Sequence, residues 1–193
     1  MATQTEVTSR TVDGVEYPAV GTYALDTTHT NLGFTVRHMA VSKVRGSFKT
    51  FEGTLELAEK PEDSKVSVTI EAGSVETRDE NRDNHLRTND FFDVENHPTW
   101  TFASTAIKPV SSSEWKVDGD LTIRGVTKSV TLDVTLEGVV QDPYGLHRVG
   151  FSAKTSINRE DFGVAFGAVM EAGGLVVAKK VEIEIEAEAT LQA

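Results

Sequence analysis

A chain of 193 residues with 38% hydrophobic and 25% charged side chains carries enough apolar material for one packed domain and lies clear of disordered and membrane-spanning compositions. Thirty acidic residues against 19 basic ones leave a formal charge of −11, which works against a phosphate-tracking surface and so against nucleic acid as a partner. The absence of cysteine excludes disulfides, thiolate metal sites and cysteine nucleophiles.

Residues 1–20 are polar and weakly patterned, and Pro18 with Gly21 punctuates their end. They read as a flexible N-terminal arm with room for one short edge strand, ahead of a barrel domain over residues 21–193. The arm has neither a basic n-region nor an apolar h-region, and no run of eighteen apolar residues occurs anywhere. The expectation is a cytoplasmic protein with no integral membrane segment, or a periplasmic or secreted one if a leader is missing from the sequence.

From Thr22 onward the dominant signal is a period of two. Residues 23–25 and 31–38 read as one strand interrupted by Asp26-Thr27-Thr28-His29-Thr30, whose side chains favour local turns. Leu32, Phe34, Val36 and His38 share one face of it. Residues 44–57 follow, with Val44, Gly46 and Phe48 on one side and then, after a change of parity, Phe51, Gly53, Leu55 and Leu57; a β-bulge at Lys49-Thr50 accounts for the change. Pro61-Glu62-Asp63 turns the chain into residues 65–72, where Val66, Val68 and Ile70 point inward, completing a hairpin.

Residues 77–89, TRDENRDNHLRTN, break the pattern. Thr77 with Glu80 three residues on has the form of a capping box, which predicts a helix starting at Thr77. Leu86 is its only strongly apolar residue, so the helix cannot be a core element. It is expected across the outside or the rim, with Leu86, Phe91 and Phe92 directed toward the interior.

Strands then resume at 99–108, 114–123, 129–140, 148–157 and 176–189, joined by turns rich in Gly, Pro, Ser and Asp. In the last strand Val177, Lys179, Val181, Ile183, Ile185, Ala187 and Ala189 alternate with an acidic face of Glu182, Glu184, Glu186 and Glu188. Residues 158–174, with four glycines, read as a loop or short helical turn at a barrel end. Eight long strands in consecutive hairpins predict an all-β, up-and-down antiparallel barrel with a short polar helix between the third and fourth strands; a two-sheet sandwich satisfies the same periodicity.

An eight-stranded barrel is either filled by its own side chains or just wide enough for one small guest. The inward positions mix large groups (Phe34, Phe48, Trp100 or Phe102, Phe151) with small ones (Gly46, Gly53, Gly119, Ala153) and hold almost no charge, so both states stay open and any guest is apolar. The five histidines show neither i,i+4 helical spacing nor His-x-His strand spacing, so no metal site is predicted. Asp83 and His85 sit too close on a polar helix to converge as an acid–base pair, and there is no nucleophile elbow or phosphate loop. No catalytic residue, cofactor or enzymatic activity is predicted.

Five segments carry a resemblance: DTTHTNLGFTVRHM (26–39), VRGSFKTFEG (44–53), SVETRDENRDNHLRTNDFFDVENHPTWTFAS (74–104), GDLTIRGVTKSV (119–130) and NREDFGV (158–164). In this order they resemble the YceI-like family, and the similarity extends from about Gly21 to the C-terminus. The resemblance implies a hollow lipocalin-like barrel and a polyisoprenoid, an isoprenoid quinone or a similar lipid as guest, hence a non-catalytic binding or transport protein. It directs the apolar pocket to Phe34, Val36, Phe48, Ile70, Leu86, Phe91, Phe92, Phe102, Leu121, Leu132 and Phe151. A polar head group would find donors in Arg78, Arg82, His85 and Arg87 on the helix or in Arg159, although a solvated helix face making i,i+4 pairs with Asp79, Glu80 and Asp83 is the commoner arrangement for the helical four. An enzyme acting within the barrel and a structural or interaction module with a solid barrel are the alternatives, with a homodimer left open for the last.

Overall fold

Thirteen strands, one α-helix and three single 3-10 turns account for the regular structure of the computed structural model, which describes residues 9–12, 14–167 and 176–192. In chain order the strands are β1 (Ser9–Val12), β2 (Val15–Pro18), β3 (Gly21–Leu25), β4 (Asn31–His38), β5 (Ser42–Phe48), β6 (Phe51–Leu57), β7 (Lys65–Glu71), β8 (Val75–Glu76), β9 (Thr99–Pro109), β10 (Glu114–Ile123), β11 (Val126–Gln141), β12 (His147–Asn158) and β13 (Val177–Leu191). The helix α1 is Glu80–Arg87 and the 3-10 turns are Pro61–Asp63, Ala72–Ser74 and Arg159–Phe162.

The strand with the longest alternating pattern closes the ring. Along one edge β13 pairs antiparallel with β12, from Asn158↔Lys180 to Arg148↔Thr190. Along the other it pairs first with β4, from Val177↔His38 to Glu186↔Asn31, and then with β3, from Ala189↔Leu25 to Leu191↔Tyr23. β3 and β4 are therefore two halves of one ribbon, broken at the corner that Asp26 to Thr30 predicted. β5 and β6 are likewise one ribbon broken at Lys49-Thr50, pairing with β4 and β3 respectively. β7 and β8 repeat the arrangement against β6 and β5. Counted by ribbon, this is a closed eight-stranded antiparallel barrel, with β8 covering β5 only at Ser47 and Phe48.

Three details depart from the expected arrangement. Counted by hydrogen-bonded segments, α1 falls between β8 and β9 rather than between the third and fourth strands, because the breaks split the first three ribbons and a hairpin precedes them. The helix begins at Glu80 with Asp79, not Thr77, as its cap: the Asp79 carboxylate accepts from the Arg82 N–H at 2.9 Å, and Arg78 at φ +65° turns the chain between the two residues. Lys179 does not follow the inward side of β13. Two extra residues lie between Val177 and Val181 relative to β4, and in that bulge the Lys179 ammonium swings out to Glu160 at 2.8 Å.

β1 and β2 form a two-stranded antiparallel hairpin within the predicted arm, with Ser9 opposite Pro18. It is seated over one barrel end. Arg10 donates through Nη2 to the Ala58 carbonyl at 2.7 Å and through Nη1 to the Glu59 carbonyl. Tyr17 donates to the Ser112 carbonyl at 2.8 Å and its ring meets Trp115 edge-on with centroids 6.0 Å apart. The opposite end carries α1, the Phe91-Phe92 pair, the Arg159 turn and the Arg124-Gly125 turn between β10 and β11. Both Arg124 and Gly125 have positive φ, as a two-residue turn between twisted strands requires.

Candidate functional site, an apolar tunnel

The inward faces of the eight ribbons do not meet at the centre. They enclose a cavity of about 330 Å³, bounded by Tyr17, Leu57 and Trp115 toward the hairpin and by Phe162, Val164 and Val177 toward the Arg159 turn. That volume is within the range of about 300–1,000 Å³ common for small-molecule sites. The wall between the two ends is almost entirely hydrocarbon, because alternation gives each strand one dry face: Val66, Val68 and Ile70 from β7, Val117 and Leu121 from β10, Val130, Leu132 and Val134 from β11, and Val181, Ile183 and Ile185 from β13.

The interior stays open for a reason visible in the sequence as the mixture of large and small residues. The Phe34 ring lies where a Cβ on Gly46 would stand, its directly opposite partner on β5. The Phe102 ring covers Gly119 on β10 in the same way. Large rings thus rest against bare backbone instead of crossing the bore. At the α1 end, Phe48, Phe92 and Trp100 pack edge-on and tilted, with Phe92 and Trp100 centroids 4.7 Å apart and Phe48 and Trp100 4.8 Å apart.

Phe34, Val36, Phe48, Ile70, Leu86, Phe91, Phe92, Phe102, Leu121, Leu132 and Phe151 all lie on this wall. From the polar helix segment and the residues after it, Leu86, Phe91 and Phe92 reach this wall. Arg10, Tyr17 and Pro18 also line the cavity and were not foreseen; their arm has no periodicity that would assign it to the site. Trp100 and Phe102 share the inward parity of β9, so both face in and the choice between them was unnecessary.

Of the five head-group candidates only Arg159 reaches the cavity wall. Arg82 spends its donors on Thr77, Nε to the hydroxyl at 2.7 Å and Nη2 to the carbonyl at 2.8 Å. Arg87 clamps the carbonyls of Gly73 and Val75 at 2.7 and 2.9 Å and reaches Asn84 at 2.9 Å. His85 pairs with Asp90 at 2.8 Å, and Arg78 is exposed. The helix therefore turns its basic groups to its own supports. Asp83, far from meeting His85, is buried and takes both the Thr77 N–H at 2.8 Å and the Thr77 hydroxyl at 2.5 Å.

Arg159 is 5% exposed. Its Nε donates to the Ala178 carbonyl at 3.0 Å, Nη1 to Val164 at 2.6 Å and Nη2 to Val177 at 3.2 Å. Burial pushes the guanidinium's pKa below its usual value.

A second charged cluster lies on the outside. Arg148 donates to Asp26 at 2.6 Å, Glu188 at 2.5 Å and Asp142 at 2.7 Å, and His29 meets Asp26 at 3.0 Å. Asp26, His29 and Glu188 are close enough to share a cation, but the Arg148 guanidinium already bonds both carboxylates. The cluster ties the β3–β4 corner to β12 and β13. Hydrogen bonds from His29 and then from Arg148 hold the Asp26 carboxyl well below the usual carboxylate range, and the bond to Asp26 raises the His29 pKa.

A small antiparallel barrel closed on itself around a dry lengthwise bore defines a class of hollow β-barrels. Within that class the chain belongs to the YceI-like family, whose model, described as a YceI-like domain, matches residues 23–189. It is 39% identical over 168 residues to a UPF0312 protein of Staphylococcus epidermidis, covering 86% of this chain and 95% of that one. It superposes on BcnA of Burkholderia cenocepacia with a TM-score of 0.76 at 26% identity, over 86% of this chain and 99% of that one. It also shares its fold with a polyisoprenoid binding domain from Saccharophagus degradans, with a TM-score of 0.68 at 16% identity over 88% and 98% of the two chains.

Proposed function

We propose that this protein is a non-catalytic carrier that sequesters one long apolar molecule, a polyisoprenoid, isoprenoid quinone or similar lipid, inside its barrel. The observation that carries this reading is the almost entirely apolar lining of the cavity from the hairpin to the Arg159 turn. A solid-barrel interaction module is at odds with that cavity. The polyisoprenoid-binding name of the Saccharophagus neighbour agrees in substance, though that likeness extends only to fold.

Hydrocarbon burial supplies sufficient affinity without any polar contact. A guest of about thirty carbons, at roughly 0.3 kcal/mol per atom, gains about 9 kcal/mol, which corresponds to submicromolar binding. Native mass spectrometry of the protein after gentle extraction is expected to show a copurified lipid mass. A protein that is empty on extraction and also fails to take up isoprenoid quinones overturns the proposal.

A further inference from the structure

The cavity is apolar along its length, yet a guanidinium stands at each end of it: Arg10, half-buried at the hairpin end, and Arg159, buried at the other. Arg159 follows β12 directly, and the turn it opens folds back so that the Gly163 N–H donates to the Glu160 carbonyl at 3.0 Å and the Val164 N–H to the Arg159 carbonyl at 3.2 Å, with Gly163 at φ +76°. The side chain then bonds three carbonyls from Val164, Val177 and Ala178. These bonds explain why the residue is held in place. They do not neutralise it, because a carbonyl carries no net charge, and among the described residues no carboxylate lies within 4 Å of this guanidinium. Neighbouring Glu160 pairs instead with Lys179 at 2.8 Å.

Three of the five guanidinium N–H groups are spent on these carbonyls, leaving two. A second donor at the same end is also unspent. Trp100 is 8% exposed, lines the cavity, and its Nε1–H has no acceptor. The wall that holds Trp100 is joined to the Arg159 turn by Arg124, which donates to both the Phe91 and Gly163 carbonyls at 2.9 and 3.2 Å. Glu160 acts on Arg159 only through space, without a hydrogen bond to it; a buried cation bonded only to neutral carbonyls and holding spare donors is stabilised by an anion, and a planar fork of donors fits a planar pair of oxygens.

We infer that the α1 end of the tunnel is a head-group site and that the guest is an acidic lipid, a long apolar chain ending in a carboxylate that Arg159 receives. This rests on the carrier reading above and adds to it the polarity of the guest and its direction in the bore. Phe162 and Val164, 2% and 4% exposed, line the cavity beside the guanidinium.

The test compares one isoprenoid tail with two heads, all-trans-retinoic acid and methyl retinoate. Both absorb where tryptophan emits, and the chain's two tryptophans, Trp100 and Trp115, both line the cavity, so quenching of their emission reports binding directly. The acid is expected to bind the full chain at least tenfold more tightly than the ester. Arg159→Gln should abolish that difference, while Arg159→Lys, which keeps the charge but loses the fork, should keep only part of it. Equal affinities for acid and ester in the wild type overturn the inference and leave the carrier reading intact, as does a preference that survives in Arg159→Gln. Binding of neither compound counts against the carrier reading itself. Should Arg159→Gln fail to fold, carboxyl-labelled retinoic acid in the wild type decides: its carboxyl carbon is expected to titrate below the free acid, and titration above it overturns the assignment.

Discussion

The two ends of the barrel are closed by the same device used in different surroundings. At the hairpin end Arg10 grips the carbonyls of Ala58 and Glu59, and at the α1 end Arg159 grips those of Val164, Val177 and Ala178. The hairpin closure is added from a segment outside the residues that the family model matches, and its tyrosine and arginine sit at a partly exposed rim. The α1 closure is built from the interior of the chain, with Asp83, Thr77 and Arg159 all buried. A polar contact that water can replace costs little to lose, whereas one that leaves a buried partner unsatisfied costs the full desolvation of that partner. The two stoppers should therefore differ in how far the barrel depends on them.

The largest expected effect tests the α1 end. Asp83→Ala leaves the Thr77 N–H and hydroxyl without their acceptor beneath the helix, and a loss of about 3 kcal/mol is expected in urea denaturation. A loss below about 1 kcal/mol, the size of an exposed contact, would remove the distinction between the ends.

At the other stopper, Tyr17→Ala deletes one hydrogen bond and one ring edge at a partly exposed position, and about 1 kcal/mol is expected. Hydrogen exchange sharpens the contrast: β1 and β2 amides should lose protection in this variant while those of β12 and β13 keep theirs. Loss of protection throughout the barrel would mean that the hairpin is integral to the fold.

The smallest effect concerns pH and the corner held by Arg148. Asp26 has its pKa lowered in the folded protein, so its contribution is complete above the ordinary value of 3.8 and is lost as pH falls through the depressed one. His29 has its pKa raised, so its contribution is complete below the ordinary value of 6.5 and is lost as pH rises through the raised one. Stability from this corner is greatest between those ordinary values. Thermal melts of His29→Gln should lack the alkaline decline and keep the acidic one, and an unchanged alkaline limb would show that His29 does not couple to folding.

Much of the barrel was legible because its residues alternate without compromise. The parity change at Lys49-Thr50 and the turn-forming run from Asp26 to Thr30 located the two breaks in the first ribbons, and the Phe and Gly positions marked the wall. Lys179 was misplaced because a period of two persists through a two-residue bulge, so only pairing with β4 reveals it. Thr77 has the composition of a capping residue, but capping depends on the backbone turn at Arg78, which is invisible in the residue types. The arm's share in the cavity, through Arg10 and Tyr17, depends on contacts with residues about 50 and 95 positions away, and no local pattern encodes them. Of the basic candidates, the helical four and Arg159 look alike as letters; burial separates them.

The aromatic rings laid over Gly46 and Gly119 place the diameter of the passage in the course of the main chain. A side chain on a flexible stem changes calibre by changing rotamer, but a ring seated on a strand that lacks a Cβ has nowhere further to retreat. On the carrier reading, accommodation of a wider guest would require strands to separate, so girth rather than carbon count would be the first property by which such a passage discriminates.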